Sequence, residues 1–333
     1  MPVLYGIGNP LIDIIVRAEA NALSSLDVVP GSMNLVDYDR QRAAMRSGVV
    51  ARRLPGGSCA NTTRATRWLL RVAGSNAAIA YTGAIGRDHE GDAFEALLDT
   101  EGVDPILSRR ATPTGSSVIV VTPDSQRTMF TYLGACRDLT ASDIDSATIE
   151  SAQILHITGY MWDTPNQEEA ARTAVGTARR TRTLVSLDVA DRFVVDRYFD
   201  KLTSWIPGNV DLLFANEQEL AALTGVQEGG EETLKAASAF APTVVMKTGP
   251  DGCVVNDHGH IFSSPAHSVE PVDTTGAGDA FAGGYLFGII QKLRAEQCAT
   301  IANRLAGGIV TVAGCNYDAL DAAAIANMFA DLI

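Results

Sequence analysis

The chain has 333 residues, with 26 Lys and Arg against 39 Asp and Glu and a formal charge of −13. A field of that sign repels phosphate backbones and anionic lipid, so neither a nucleic-acid partner nor a membrane-surface role is expected. Hydrophobic residues at 46% and charged residues at 20% suit a globular chain with a large core and exclude general disorder.

In chain order, a short apolar run at residues 3–7 reads as a first buried strand. Residues 13–17 and 31–36 read as brief strands with no helix of useful length between them. A helix is expected over 59–72 with Ser58 as its N-cap, then a strand at 77–82 and a helix at 89–101 closed by Gly102. Residues 116–121 and 128–133 form a hairpin through the turn Thr122-Pro123-Asp124-Ser125-Gln126-Arg127. Strands at 154–158, 184–187, 212–215 and 244–247 alternate with helices at 167–180 and 217–223, the second closed by Gly225. Another hairpin pairs 253–256 with 260–263, and helices at 278–293, 296–313 and 319–332 complete the chain.

The main strands are apolar on consecutive positions, as strands covered on both faces must be. Their alternation with helices predicts an α/β fold, a parallel sheet flanked by helices, in one domain over 1–333. The strands that break the rhythm, in insertions at about 13–52 and 112–136, predict a small β-sheet lid over one edge. Five cysteines without paired spacing, Cys59, Cys136, Cys253, Cys298 and Cys315, read as free thiols of a reducing compartment. The opening Met-Pro-Val-Leu has no basic leader, and no run approaches the roughly 18 apolar residues of a membrane span. A soluble cytoplasmic protein is expected, as a monomer or a homodimer.

Chemistry concentrates in Asp273-Thr274-Thr275-Gly276-Ala277-Gly278-Asp279. Two glycines allow a tight turn whose amides point one way, and a helix then starts with its positive end at that turn, a place for an anion. A carboxylate there is repelled by a bound phosphate unless it handles a proton, which marks Asp279 as a candidate base. Gly56-Gly57-Ser58-Cys59-Ala60-Asn61 lets a ligand approach the backbone and sets an amide one turn into a helix. Asn9 and Asp13 follow the first strand, at the carboxyl end where open α/β sheets bind ligands. The Gly6-Ile7-Gly8 there lacks the third glycine of a dinucleotide fingerprint, which disfavours a nicotinamide oxidoreductase, and no Walker-type phosphate loop occurs. Asn216 and Glu219 lie three residues apart after another strand, on one face of a helix that starts there. Lys247-Thr248-Gly249-Pro250-Asp251-Gly252 ends the next strand in a polar turn, and Arg127 closes the hairpin turn.

Together these segments resemble the ribokinase-like (PfkB) family of carbohydrate and nucleoside kinases, in the expected order along nearly the whole chain. The resemblance implies a Rossmann-like domain with a small β lid, ATP as donor, Mg2+, and transfer of the γ-phosphate to a primary hydroxyl. It implies Asp279 as base and the Gly276, Ala277 and Gly278 amides as an anion hole. Arg127 would swing in with the lid to meet phosphate charge. Asn9, Asp13, Gly56, Gly57, Ser58 and Asn61 would contact the acceptor, and Asn216 and Glu219 would order Mg2+ through water. Lys247, Thr248, Gly249 and Gly252 would lie along the nucleotide, and Asp273 with Thr275 would hold a monovalent cation such as K+. Gly8-Asn9-Pro10-Leu11-Ile12-Asp13 and Gly159-Tyr160-Met161-Trp162 are similar to the adenosine kinase branch, with Tyr160 and Met161 flanking a base. Asp273-Thr274-Thr275 is the form common in sugar kinases, which keeps fructose or ribose open as acceptor. A non-catalytic nucleoside-binding protein is the reading from another class, disfavoured because a binder has no use for Asp279.

Overall fold

The computed structural model describes residues 1–19, 21–26, 28–124, 126–226 and 230–330. From the N-terminus run β1 (Pro2–Ile7), β2 (Leu11–Arg17), β3 (Met33–Leu35), α1 (Tyr38–Met45) and β4 (Val49–Gly56). Next come α2 (Ser58–Val72), β5 (Ala78–Gly86), α3 (His89–Glu101), β6 (Val103–Arg110), β7 (Gly115–Val121) and β8 (Arg127–Tyr132). The middle holds α4 (Ser146–Ser151), β9 (Ile154–Thr158), α5 (Pro165–Thr181), β10 (Leu184–Asp188), α6 (Arg192–Trp205), β11 (Leu212–Asn216), α7 (Glu217–Thr224) and α8 (Gly230–Ala237). The chain ends with β12 (Thr243–Lys247), β13 (Cys253–Asp257), β14 (His260–Ser264), α9 (Ala277–Ile290), α10 (Ala295–Ile309) and α11 (Ala322–Ala330).

Nine strands form one sheet in the order β14-β13-β12-β11-β10-β9-β1-β5-β6. From β12 to β6 every pairing is parallel, and β13 and β14 add an antiparallel edge. This is the expected α/β class. Alternate side chains enter separate cores on the two faces: Leu4, Leu212, Phe214 and Val245 on one, Tyr5, Leu213, Ala215 and Val244 on the other. Because β1, β9, β10, β11 and β12 are parallel, their carboxyl ends meet along one rim, where polar residues replace the apolar run.

A second sheet, in the order β3-β8-β7-β2-β4, is built from strands on either side of α2 to β6. The β7–β8 hairpin is as expected, although Ser125 of its turn lies outside the described residues. Between β2 and β3 the described residues hold only a 3-10 turn, Ala22–Ser25. Six elements were not foreseen, namely α1, β4, β6, α4, α6 and α8. β4 and β6 are edge strands that carry Arg and Pro, so the apolar run is diluted where the strand has one neighbour. In α1 the buried residues are Gln41 and Ala44, and Gln41 donates to the Ser116 carbonyl at 2.6 Å. The last helix is shorter than the expected 319–332, whose final two residues lie outside the described set. No helix among the described residues is long and apolar enough to cross a membrane.

Candidate active site

The turn before α9 is fixed by Gly276, whose φ of 74° is left-handed. A Cβ there would stand 2.0 Å from Cys315 Sγ, so only glycine fits. Asp279 falls in the first turn of α9, and its two oxygens accept from Ser58 Oγ at 2.6 Å and Asn61 Nδ2 at 2.9 Å. Burial pushes the Asp279 carboxyl above the ordinary range; the bonds from Ser58 and Asn61 oppose it, and the charge of Asp188 adds to the rise. A carboxylate held by two donors and raised in pKa holds a proton more readily than one in water.

Those donors correct two sequence expectations. Gly57, with φ 97°, occupies the N-cap position of α2 in place of Ser58. The Asn61 amide, expected on acceptor hydroxyls, donates to Asp279 while its oxygen accepts from Arg64 at 3.1 Å. Both residues still line the cavity that Asp279 faces, but their bonds position the Asp279 carboxylate. Of the turn amides, that of Ala277 donates to the Thr274 carbonyl at 3.2 Å and is therefore engaged within the turn.

The cavity before Asp279 has a volume of about 260 Å³. It is lined by Asn9, Asp13, Ser58, Asn61 and Asp279 together with Met33, Leu35, Met129 and Leu133 of the second sheet and its margin and with Tyr160, Phe193 and Tyr198. Asn9 Oδ1 accepts from Gln167 Nε2 at 2.7 Å. Gly57 lines the cavity and Gly56 does not; a Cβ on Gly56 would stand 2.4 Å from Asp13 Oδ2, so Gly56 makes room for that carboxylate. The Tyr160 hydroxyl lies 3.5 Å from Asp191 Oδ2. Met161, expected beside it, is fully buried in the core and does not line the cavity. Both sit in a 3-10 turn, where adjacent side chains diverge by about a third of a turn.

Burial pushes Asp13 from an ordinary carboxyl value of 3.8 up to about 7, with Asp279 and Asp273 adding to the rise. Between pH 4 and 7 the folded chain therefore holds a proton at Asp13 that the unfolded chain has lost, and this contribution to stability falls as pH rises. Asp13→Asn is expected to gain stability relative to the wild type across that window and to hold the gain above pH 7. Denaturant unfolding of both proteins at pH 4.5, 6 and 8 checks this; parallel pH profiles would remove the assignment.

A second cavity, of about 450 Å³, opens on the other side of the turn and is lined by Lys247, Gly249, Gly252, Ala277 and Gly278 with the apolar Val269, Phe281 and Val310. Thr248 does not line it; its N–H closes the loop on the Gly252 carbonyl at 2.9 Å. The residues 276–279 thus stand between two cavities, with Asp279 facing one and Gly278 the other. Lys247 Nζ bonds both oxygens of Asp188, at 3.0 and 2.8 Å. It lies 3.4 Å from where a Cβ on Gly278 would be. Burial works against the lysine charge, but Asp188 and Glu219 outweigh it and raise its pKa. Asp188, at the end of β10 and buried, is a site residue that the sequence reading missed. Its one signal was a lone acid at a strand end.

Asn216 and Glu219 are together as expected, in a reciprocal cap of α7. Asn216 Oδ1 accepts the Glu219 N–H at 2.8 Å, and the Glu219 oxygens accept the Asn216 N–H at 2.8 Å and its amide at 2.7 Å. Burial pushes Glu219 up to about 7; Lys247 opposes this and Asp188 adds to it. Neither residue lines the two cavities.

Arg127, at the start of β8, pairs with Asp273 Oδ1 at 2.7 Å and with the Thr275 hydroxyl. Burial raises the Asp273 carboxyl, but the bonds from Arg127 and Thr275 prevail and hold it at about 2. Its other oxygen accepts the Gly314 N–H at 3.1 Å. The cation beside Asp273 and Thr275 is therefore a guanidinium, where the sequence suggested a monovalent ion. Arg127 itself is tied next to the turn rather than free to reach a phosphate.

The sequence pattern of the pfkB family carbohydrate kinases matches residues 29–322. The adenosine kinase of Dictyostelium discoideum is 27% identical over 299 residues, covering 84% of this chain and 86% of that protein. Among solved structures, adenosine kinase from Sinorhizobium meliloti superposes with a TM-score of 0.89 at 29% identity, covering 98% of each chain. A probable sugar kinase from Rhizobium etli superposes with a TM-score of 0.91 at 30% identity over the full length of both. The nine-stranded sheet with its small companion is thus the ribokinase-like fold. The chain belongs to the pfkB family of carbohydrate kinases, where it resembles the adenosine kinase branch, and is a phosphotransferase that acts on an alcohol group.

Proposed function

We propose that the protein transfers the γ-phosphoryl group of ATP to the 5′-hydroxyl of a nucleoside, adenosine foremost. The observation that carries this reading is the mixed lining of the 260 Å³ cavity. The polar groups around Asp279 suit a ribose, while the methionine, leucine and aromatic side chains of the lining would cover a flat base and have little to offer a free sugar. The adenosine kinases among the relatives support the same choice.

In the proposed reaction the nucleoside hydroxyl gives its proton to Asp279, which Ser58 and Asn61 hold in place. The hydroxyl oxygen forms a bond to the γ-phosphorus, the bond from that phosphorus to the β–γ bridging oxygen breaks, and ADP departs. ATP would occupy the cavity of Lys247 and Gly278, with its phosphates at the start of α9. The second sheet would act as the lid that excludes water. Asp188, Glu219 and Lys247 give two carboxylates to one ammonium, an excess of negative charge that fits a hydrated divalent cation. No group of three metal-ligating side chains exists among the described residues, as suits an ion held through water and substrate phosphates. Mg2+ at Asn216 and Glu219 would supply neutralisation of phosphate charge. The Arg127 pair leaves the Asp273 carboxylate engaged on both oxygens, so K+ is not part of the proposal. Five free thiols suit a reducing, cytoplasmic setting.

A sugar acceptor is the second reading, favoured by the Rhizobium etli relative. ADP release over a panel of adenosine, inosine, ribose and fructose separates the two. Turnover of adenosine well above that of either sugar is expected; robust fructose turnover with none of adenosine would overturn the nucleoside reading. Nucleoside binding with no turnover would point to a binding protein instead.

A further inference from the structure

Asp279 takes one of its two hydrogen bonds from Asn61, and Asn61 is itself held from behind. Arg64 lies one turn further along α2, is 5% exposed and lines neither large cavity. Its guanidinium bonds both oxygens of Glu101, at 2.7 Å from Nε and 2.8 Å from Nη2. Nη1 donates to Asn61 Oδ1 at 3.1 Å, and Nη2 also donates to the Cys315 carbonyl at 3.0 Å. The group lies over the Tyr317 ring, 5.6 Å from its centroid, and the Tyr317 hydroxyl donates to the Asn61 carbonyl at 3.1 Å. Glu101 ends α3, while Cys315 and Tyr317 follow α10, so Arg64 draws distant segments onto one amide. A buried ion pair of this kind is often no more stabilising than apolar side chains of similar volume. What it adds here is direction.

A side-chain amide has two ends of nearly equal shape, one that donates and one that accepts. With Nδ2 toward Asp279 the Asn61 amide donates at 2.9 Å and favours the ionised carboxylate. Turned over, it would present Oδ1, repel the carboxylate and bond only the protonated acid. Arg64 has donors and no acceptor, so it tolerates only the first orientation.

We propose that Arg64 is a positioning residue for the proton transfer: held by Glu101, it binds Asn61 Oδ1 and so keeps the Asn61 N–H on Asp279. The inference rests on the assignment of Asp279 as proton acceptor and adds the residue that keeps it ready to accept. Asp279 is also faced by Asp13 of β2, Asp188 of β10, Lys247 of β12, Tyr160 after β9, Cys59 of α2 and Cys315. Substitution of Arg64 leaves all of these in place.

The test is the pH profile of kcat/KM, at saturating ATP, for the best acceptor of the panel above. Lysine keeps a charge for Glu101 but cannot also span Asn61 and Cys315. In Arg64→Lys the acid limb is expected to move to higher pH by roughly one to two units, the size of a lost hydrogen bond to a charged group. At alkaline pH, where Asp279 ionises regardless, the variant is expected to return to within a few-fold of the wild type. In an Asn61→Ala background the same substitution is expected to move the limb no further, because its effect runs through the amide. A merely structural arginine would lower the rate equally at every pH and would add its loss to that of Asn61→Ala; either result overturns the inference. If Arg64→Lys does not fold, Arg64→Met with Glu101→Leu replaces the pair by apolar groups and is read in the same way. Near-normal turnover of Asp279→Asn would instead defeat the underlying assignment, so the two failures are distinct.

Discussion

Asp279→Asn is expected to lower kcat by roughly 10²- to 10⁴-fold, the range for removal of a positioned general base. The substitution keeps the shape of the side chain and leaves an oxygen to accept from Ser58 or Asn61, so the cavity wall stays in place. What it removes is the acceptor for the hydroxyl proton. Acceptor affinity, read by calorimetry without ATP, is expected to stay within a few-fold of the wild type, because an uncharged nucleoside loses no ion pair. Near-normal turnover would show that the proton leaves by another route and that Asp279 is a structural carboxylate. The raised pKa of Asp279 adds a second expectation: the rate should fall at acid pH as the group takes up a proton that it must instead receive from substrate.

Gly276→Ala is expected to have the other large effect, and for reasons of backbone geometry. The residue sits at φ 74°, where an alanine costs about 1–3 kcal/mol, and the new methyl would stand 2.0 Å from Cys315 Sγ. The turn must shift, and it carries both Asp279 and the amides beside the second cavity. A displacement on the order of 1 Å at reacting groups can cost about 10²-fold in rate. Loss of at least that much in kcat, with a lower Tm in thermal unfolding, is the expected result. Adding Cys315→Ala removes the clash and leaves the unfavourable φ, so the double variant should recover stability only in part. Full activity in Gly276→Ala would mean that the turn tolerates movement and that its geometry is not what sets the rate.

Much of this was legible in the residues. The order of strands and helices followed from apolar runs and caps: Gly102 closes α3, and Gly225 closes α7. The turn at 276–279 stood out because two glycines and an acid at a helix start have few uses. What escaped has a common cause, namely partners far apart in the chain. Asp188 and Lys247 are 59 residues apart, and no local spacing links them. Ser58 and Asn61 were read as ligands because their partner, Asp279, lies more than two hundred residues onward. The edge strands β4 and β6 escaped because their Arg and Pro residues, which suit an edge, erase the pattern by which buried strands are found.

The pairing of Arg127 with Asp273 and of Lys247 with Asp188 sets what the resting site ignores. Both cations that flank the turn are already matched by a carboxylate. A free orthophosphate or sulfate, abundant in any cell, gains a cation there only by evicting an acid that holds it with charge and hydrogen bonds. Such ions carry no apolar body for the larger cavity and no long chain of oxygens to reach both lysine and turn. The pairing of these cations thus works as a filter against small anions, a form of selectivity by exclusion. The −13 balance of the whole chain and the matched charges at its centre act in the same direction: neither acts as a lure for phosphate, and entry is left to a donor large enough to make its own case through shape and contact.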